Sequence, residues 1–260
     1  MNIRDRLLEQ ASWTPSGTFA GRPFVRHQEF GMITIPAEHL YADGIDVQVR
    51  EELSLSLEAV AFISRHRSES NQRSLTCHPI GNYQKAAFGG RDNTLVPAAP
   101  SWMTQTLRGL SEGEGLGYSV RFEVTHHGPF LTTPTFYAEA GSDPTAWQDP
   151  AAAAVIARSL LSTAPTGGPV AVGIGGGHYA PRHTEIALRR KIQFGHLVPA
   201  HALDDSWERS LELAIQGTPG VQAAYVQGQG LSKSREREVR QSLSSRGLEV
   251  VHESDLEKSL

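Results

Sequence analysis

The sequence predicts an α/β fold, a single domain with a mixed central sheet flanked by helices. Three observations carry this expectation. Apolar runs of strand length recur at 59–63, 74–77, 170–174 and 192–198. Stretches of helical length and periodicity stand between and after them, at 97–110, 146–161, 206–215 and 233–246. No internal repeat or low-complexity linker divides the 260 residues, a length that can bury a sizeable core. Strands interleaved with helices in this way point to helices packed on a sheet.

Taken in order, residues 3–11 read as a short amphipathic helix, with Leu7 and Leu8 set among charges. Residues 12–50 are punctuated by Trp13, Pro15, Gly17, Gly21, Pro23 and Gly31, which favours short strands and turns over helices. The run 59–63 leads into Ser64-Arg65-His66, and 74–77 into His78-Pro79-Ile80-Gly81-Asn82. Residues 118–124 alternate apolar and polar side chains, as strands do, and run into Thr125-His126-His127-Gly128-Pro129. A partner strand is expected at 135–140 and an alanine-rich helix at 146–161. After the strands at 170–174 and 192–198 come a helix at 206–215, a strand at 221–226, a helix at 233–246 and a final strand at 248–252.

Composition narrows the function class. Apolar content of 39% and charged content of 20% fit an ordinary soluble protein. A net charge of −4 does not advertise nucleic-acid binding, although a local basic face can exist beneath that total. The lone Cys77 excludes a disulfide scaffold and a cysteine-rich zinc site, and suits a reducing cytoplasm. No stretch approaches the roughly 20 apolar residues of a membrane span, so no membrane partner is expected.

Chemistry concentrates at residues 170–184. A short apolar strand delivers three consecutive glycines, Gly175, Gly176 and Gly177, and then His178. Glycine after a strand lets bare N–H groups crowd around a ligand, and open α/β sheets bind ligands at strand carboxyl ends. The plain alternative is a tight turn beside a surface histidine. Of the eleven histidines, His66, His78, His126 and His178 each lie shortly beyond an expected strand. Strand ends on one sheet edge converge, and clustered imidazoles serve metal binding or acid–base chemistry. The alternative is that some strands run the other way and leave their histidines on opposite edges.

Within a regular strand His126 and His127 would face opposite ways, and Glu123 would share a face with His127. A bend at Gly128-Pro129 would aim both imidazoles inward. No spacing here matches a standard zinc signature such as His-Glu-x-x-His. Cys77 reads as a packed, inert thiol. Basic residues follow the glycine turn (Arg182, Arg189, Arg190, Lys191) and recur at Lys233, Arg235, Arg237, Arg240 and Arg246. They read either as solvated faces with ion pairs or as phosphate contacts.

Four blocks carry a resemblance: 173–182 (Gly-Ile-Gly-Gly-Gly-His-Tyr-Ala-Pro-Arg), 123–129 (Glu-Val-Thr-His-His-Gly-Pro), 64–66 with 74–82, and 194–199 (Phe-Gly-His-Leu-Val-Pro). In content and order the chain resembles the archaeal and plant type of D-aminoacyl-tRNA deacylase (D-tyrosyl-tRNA deacylase type 2), over nearly its whole length. The resemblance implies an esterase that removes a D-amino acid from the 3′ end of tRNA, a zinc cofactor, and a fold likened to peptidyl-tRNA hydrolase and nucleoside phosphorylases. It carries over His66, His78, His126, His127 and His178 as metal candidates, and Glu123, His126 and His178 as catalytic ones. Gly175, Gly176, Gly177, Arg182 and His196 carry over as substrate contacts. Residues 1–50 are the divergent N-terminal part of the resemblance: residues 1–11 resemble a helix that in relatives follows an opening strand, so either the start falls at an internal methionine or this branch lacks that strand. Chirality would be enforced by sterics around Cα. Two rivals stand beside this reading: a metal-dependent small-molecule hydrolase or phosphorylase-like enzyme that ignores RNA, and a non-catalytic RNA-binding module.

Overall fold

The computed structural model describes residues 2–36, 38–68, 72–162 and 167–259. Helix α1 (Asn2–Gln10) buries Ile3 and Leu7. Strands β1 (Thr14–Phe19), β2 (Arg22–His27) and β3 (Phe30–Met32) follow as an antiparallel meander. The N-terminal stretch is not all strand and turn: α2 (Ile45–Leu53) is a helix, buried through Ile45, Asp46 and Val49. The glycines and prolines that argued against helix all precede residue 45, and 45–53 contain none.

Strands β4 (Val60–Arg65) and β5 (Ser74–Pro79) come next, then the short pair β6 (Gly81–Asn82) and β7 (Thr94–Leu95). Helix α3 (Pro100–Leu110), β8 (Ser119–Phe122) and β9 (Thr135–Gly141) follow. The helix expected at 146–161 is two, α4 (Pro144–Gln148) and α5 (Pro150–Leu161). Asp149 separates them: its side chain caps the amides of Ala151 and Ala152, and Pro150 has no N–H with which to continue α4. The remainder runs through β10 (Val170–Ile174), α6 (Pro181–Arg189), β11 (Gln193–Val198), α7 (Trp207–Gln216), β12 (Ala223–Val226), α8 (Lys233–Ser245) and β13 (Glu249–Val251), each where the sequence places it except α6, a helix the sequence reading did not include.

Two four-stranded sheets organise the α/β fold. The mixed sheet has the order β4-β9-β5-β8, with β4 parallel to β9, β9 antiparallel to β5, and β5 parallel to β8. One of its faces is apolar: Leu75, Cys77, Val120, Phe122, Ala138 and Ala140 join the main core under α3 and α5. The second sheet, β11-β10-β12-β13, is wholly parallel. It is covered on both sides, Ala171, Phe194 and Ala223 facing the main core and Val172, Val198 and Ala224 a second one.

The sheets meet along the segment after β8. Val124 N–H donates to the His178 carbonyl at 3.0 Å, Thr125 N–H to Leu197 at 3.0 Å, and Ala180 N–H to Phe122 at 3.1 Å. This stitching brings the ends of β8 and β10 into one place. Among the described residues, no helix is long and apolar enough to cross a membrane.

Candidate active site and metal centre

The second face of the mixed sheet carries its polar side chains among aromatic rings. Alternation along the strands places Phe62 and Ser64, Tyr137 and Glu139, and Thr76 and His78 on it together. His78 stacks on Tyr137 with centroids 4.9 Å apart and planes at 8°. His66, just past β4, arrives from the opposite direction, because β4 runs antiparallel to β5. Its ring folds back over the sheet at Gly141, where a Cβ would lie 2.9 Å from that of His66. Convergence therefore happens over a sheet face, and strands of both directions contribute.

β8 ends at Phe122, so the alternation expected through His126-His127 does not hold. His127 has φ +24° and Gly128 φ +102°, which turns both imidazoles to the same side, 4.1 Å apart. The same bend brings Glu123 to His126 (Nε2 to Oε2, 3.4 Å). Glu123 also meets His178 Nε2 at 2.9 Å and His66 Nδ1 at 3.2 Å. Glu139 lies 3.8 Å from both His66 Nδ1 and His78 Nε2. Five imidazoles and two carboxylates thus share one cluster, and His178, half exposed, stands at its mouth.

Burial governs the charges. It lowers His126 to about 4 and His127 to about 3, and holds His78 well below the usual imidazole range. Burial also opposes ionisation of Glu123, but contact with His178 and the fields of His126 and His66 outweigh it and keep the carboxyl low. Glu139 goes the other way: burial, and then the Glu123 charge, push it up against a hydrogen bond from Ser64. The two glutamates hold opposite protonation preferences a few ångströms apart.

The donors fit a divalent cation. His78 Nδ1–H donates to the Pro79 carbonyl at 3.1 Å and His126 Nδ1–H to Val124 at 2.7 Å. Carbonyls therefore fix the tautomer, leaving both Nε2 lone pairs turned into the cluster, as in histidine ligands generally. His78 Nε2, His127 Nδ1 and Glu123 Oε1 are buried without a hydrogen-bond partner, while Glu123 Oε2 faces the His178 and His126 nitrogens. A neutral Nε2 lone pair facing a carboxylate, as at His126 and Glu123, is repulsive without a positive charge between them. Three sets of donor atoms lie within 4.8 Å of one another: His78 with His126 and His127, Glu123 with His126 and His178, and His66 with Glu123 and Glu139.

Other expected site residues fall elsewhere. Gly175 (φ +90°) takes a conformation suited to glycine, and a Cβ there would overlap the Gln227 carbonyl. Its N–H donates to Val198 at 2.8 Å, so only the amides of Gly176 and Gly177 are without an acceptor among the described residues. Arg182 is clamped by Glu185 at 2.6 Å, Glu253 at 2.7 Å and the Tyr225 hydroxyl at 3.1 Å. His196 is fully buried away from the cluster, between the Thr125 hydroxyl and the Val96 carbonyl. Cys77 is buried, its thiol pushed up by burial. Three neighbours were not anticipated: Glu139, Tyr179, whose hydroxyl meets His66 Nε2 at 2.9 Å, and His39, whose Nε2 meets Ser64 Oγ at 3.0 Å. A carboxylate inside an otherwise apolar strand was the available signal for Glu139.

Residues 53–251 match the family model described as D-aminoacyl-tRNA deacylase. The chain is 35% identical to the D-aminoacyl-tRNA deacylase of Pyrococcus furiosus, over 96% of this chain and 94% of that one. It is also 35% identical to that of Thermococcus kodakarensis, over 97% and 95%. Its fold superposes, with a TM-score of 0.89 and 28% identity, on the crystal structure of a conserved protein of unknown function, AF0625, covering 100% of this chain and 93% of that one.

Proposed function

The chain belongs to the D-aminoacyl-tRNA deacylase family, a hydrolase of the ester in D-aminoacyl-tRNA, and we propose that the histidine–glutamate cluster is where that ester is cleaved, with zinc as its metal. The products are free D-amino acid and tRNA. An aminoacyl ester is already activated, so the site must supply a deprotonated water and stabilise a tetrahedral oxyanion.

His178 is suited to the proton transfers. Its Nε2 faces Glu123 at 2.9 Å, which leaves Nδ1 for water at the mouth of the site. The ring takes a proton from the attacking water and returns it to the departing tRNA hydroxyl, while Glu123 stabilises the imidazolium that forms between the two steps. The amides of Gly176 and Gly177, just before His178, supply N–H groups for the oxyanion. His66, His78, His126 and His127 with Glu123 are the residues that would hold zinc, whose charge polarises an ester carbonyl or acidifies a water. Because the substrate is charged tRNA, the reading places the protein in the cytoplasm.

The observation that supports this reading best is the set of inward-facing, unpartnered donors beside His178. The test is deacylation of matched D- and L-aminoacyl-tRNA by purified protein, before and after dialysis against chelator and with zinc restored. Release of the D-amino acid alone, lost on chelation and regained with zinc, is expected. Equal cleavage of both enantiomers would overturn the substrate assignment, and full activity after chelation would overturn the zinc.

A further inference from the structure

Tyr41 and Phe88 are large apolar side chains left in water, 59% and 63% exposed, on segments that pack beside the histidine cluster. Tyr41 ends the turn His39–Tyr41, whose His39 ring lies 5.4 Å from the Tyr137 ring that stacks on His78. The Phe88 carbonyl accepts from the Gly128 N–H at 3.1 Å, one residue past His127. The loop bearing Phe88 is tightly built. Gly89 (φ +80°) and Gly90 (φ +78°) allow its backbone to touch two others: a Cβ on the first would overlap the Leu40 carbonyl, and one on the second would lie 2.6 Å from the Gly128 carbonyl. Asn82 Nδ2 donates to Gly89 at 3.1 Å, and Asp92 accepts from the Ala86 N–H at 2.7 Å. The backbone that bears each ring is therefore fixed relative to the other and to the segment after His127.

Charge around this loop favours a polyanion. Lys85 and Arg91 are exposed on it and pair with no carboxylate among the described residues; Arg91 lies over the Phe130 ring at 3.8 Å. By contrast, the basic residues after the glycine turn are occupied, Arg182 and Arg190 by Glu253, Arg189 by Glu185, and Lys191 by Glu257. An unpaired nucleotide presents a flat base and a phosphate together, which matches exposed aromatic rings flanked by cations that no carboxylate neutralises.

We propose that Tyr41 and Phe88 form the stacking platform for the terminal adenosine of the tRNA, a proposal that rests on the deacylase reading above. The adenosine ribose carries the ester, so a base seated on these rings directs that ester toward the neighbouring cluster. Stacking is indifferent to the amino acid and to tRNA sequence.

The test uses D-tyrosyl-tRNA and the whole chain. Tyr41→Ala and Phe88→Ala should each raise KM roughly ten-fold, while kcat stays within about two-fold. Tyr41→Phe and Phe88→Tyr, which keep a ring, should retain the wild-type KM. Removing the terminal adenosine from uncharged tRNA should weaken binding to the wild type and leave binding to the double alanine variant unchanged. Alanine variants with the wild-type KM, or a double variant that still distinguishes the two tRNAs, would overturn the platform alone. A wild type that fails to cleave D-tyrosyl-tRNA would overturn the deacylase reading itself.

Discussion

His78 on the mixed sheet and His196 on the parallel sheet are equally inaccessible, yet they belong to regions of different kinds. His196 is complete: its Nε2–H donates to Val96 at 2.9 Å, and the Thr125 hydroxyl reaches its Nδ1 at 3.0 Å while accepting from Leu197 N–H. His78 donates one N–H to Pro79 and leaves Nε2 open among imidazoles and Glu139. Around His196 the sheet packs apolar side chains on both faces, and the loop after β10 carries its His178 to the site. Around His78 the sheet face carries Ser64, Thr76 and Glu139 beside the Phe62 and Tyr137 rings. Burial and a lowered imidazole pKa are common to both regions, so neither marks a site. An open nitrogen among converging donors does.

The sharpest break between the regions should be catalytic. His178→Ala should lower kcat for deacylation by about 10² to 10⁴, the usual range for a general acid–base group, whereas His196→Ala should stay within a few-fold in the folded fraction. Single-turnover deacylation measures this, and comparable losses in both variants would erase the distinction.

Acid should erase that contrast in stability, because buried imidazoles of both regions have lowered pKa values. Burial holds His183 and His196 at about 4 in the fold against 6.5 unfolded. Between those values the unfolded chain binds more protons, so stability is fully present above pH 6.5 and is lost as pH falls toward 4. The loss comes to about 3 kcal/mol for each ring. Urea midpoints measured from pH 7 to pH 4 test it, and His196→Gln should flatten its share of the curve.

Metal retention should separate the two histidines next. His78→Ala should weaken zinc binding by about ten-fold or more, and His196→Ala should leave it unchanged, as read by metal content after dialysis. The smallest effect is expected at Arg182, already held by Glu185 and Glu253. Arg182→Gln should cost up to about 1 kcal/mol of stability. The dependence of KM on salt should not change; a slope reduced by about one would instead place this guanidinium on a phosphate.

Much of the fold was legible because periodicity is local. The strand expected at 170–174 is β10, and the helix expected at 233–246 is α8 to within one residue. Helix α2 was missed because the glycines and prolines before it coloured a whole region, and the break at Asp149-Pro150 was overlooked inside an alanine-rich run. In the site, histidines past strand ends were a sound signal with an incomplete reason. β4 runs against β5 and β8, and His66 still arrives because Gly141 leaves room over the sheet face. His196 carried the same residue type in an equally telling motif, yet packs as core. Nothing along the chain separates it from His78, because the difference lies in which partners each ring meets.

The sequence by itself determined where strands and helices form, the family, and the residue types available for chemistry, since each is written in neighbouring residues. Only the tertiary structure decided which imidazoles meet, which nitrogens stay open, and that Glu139 joins Glu123 with the opposite protonation preference. Those properties come from contacts between segments distant in sequence and from the exclusion of water around them.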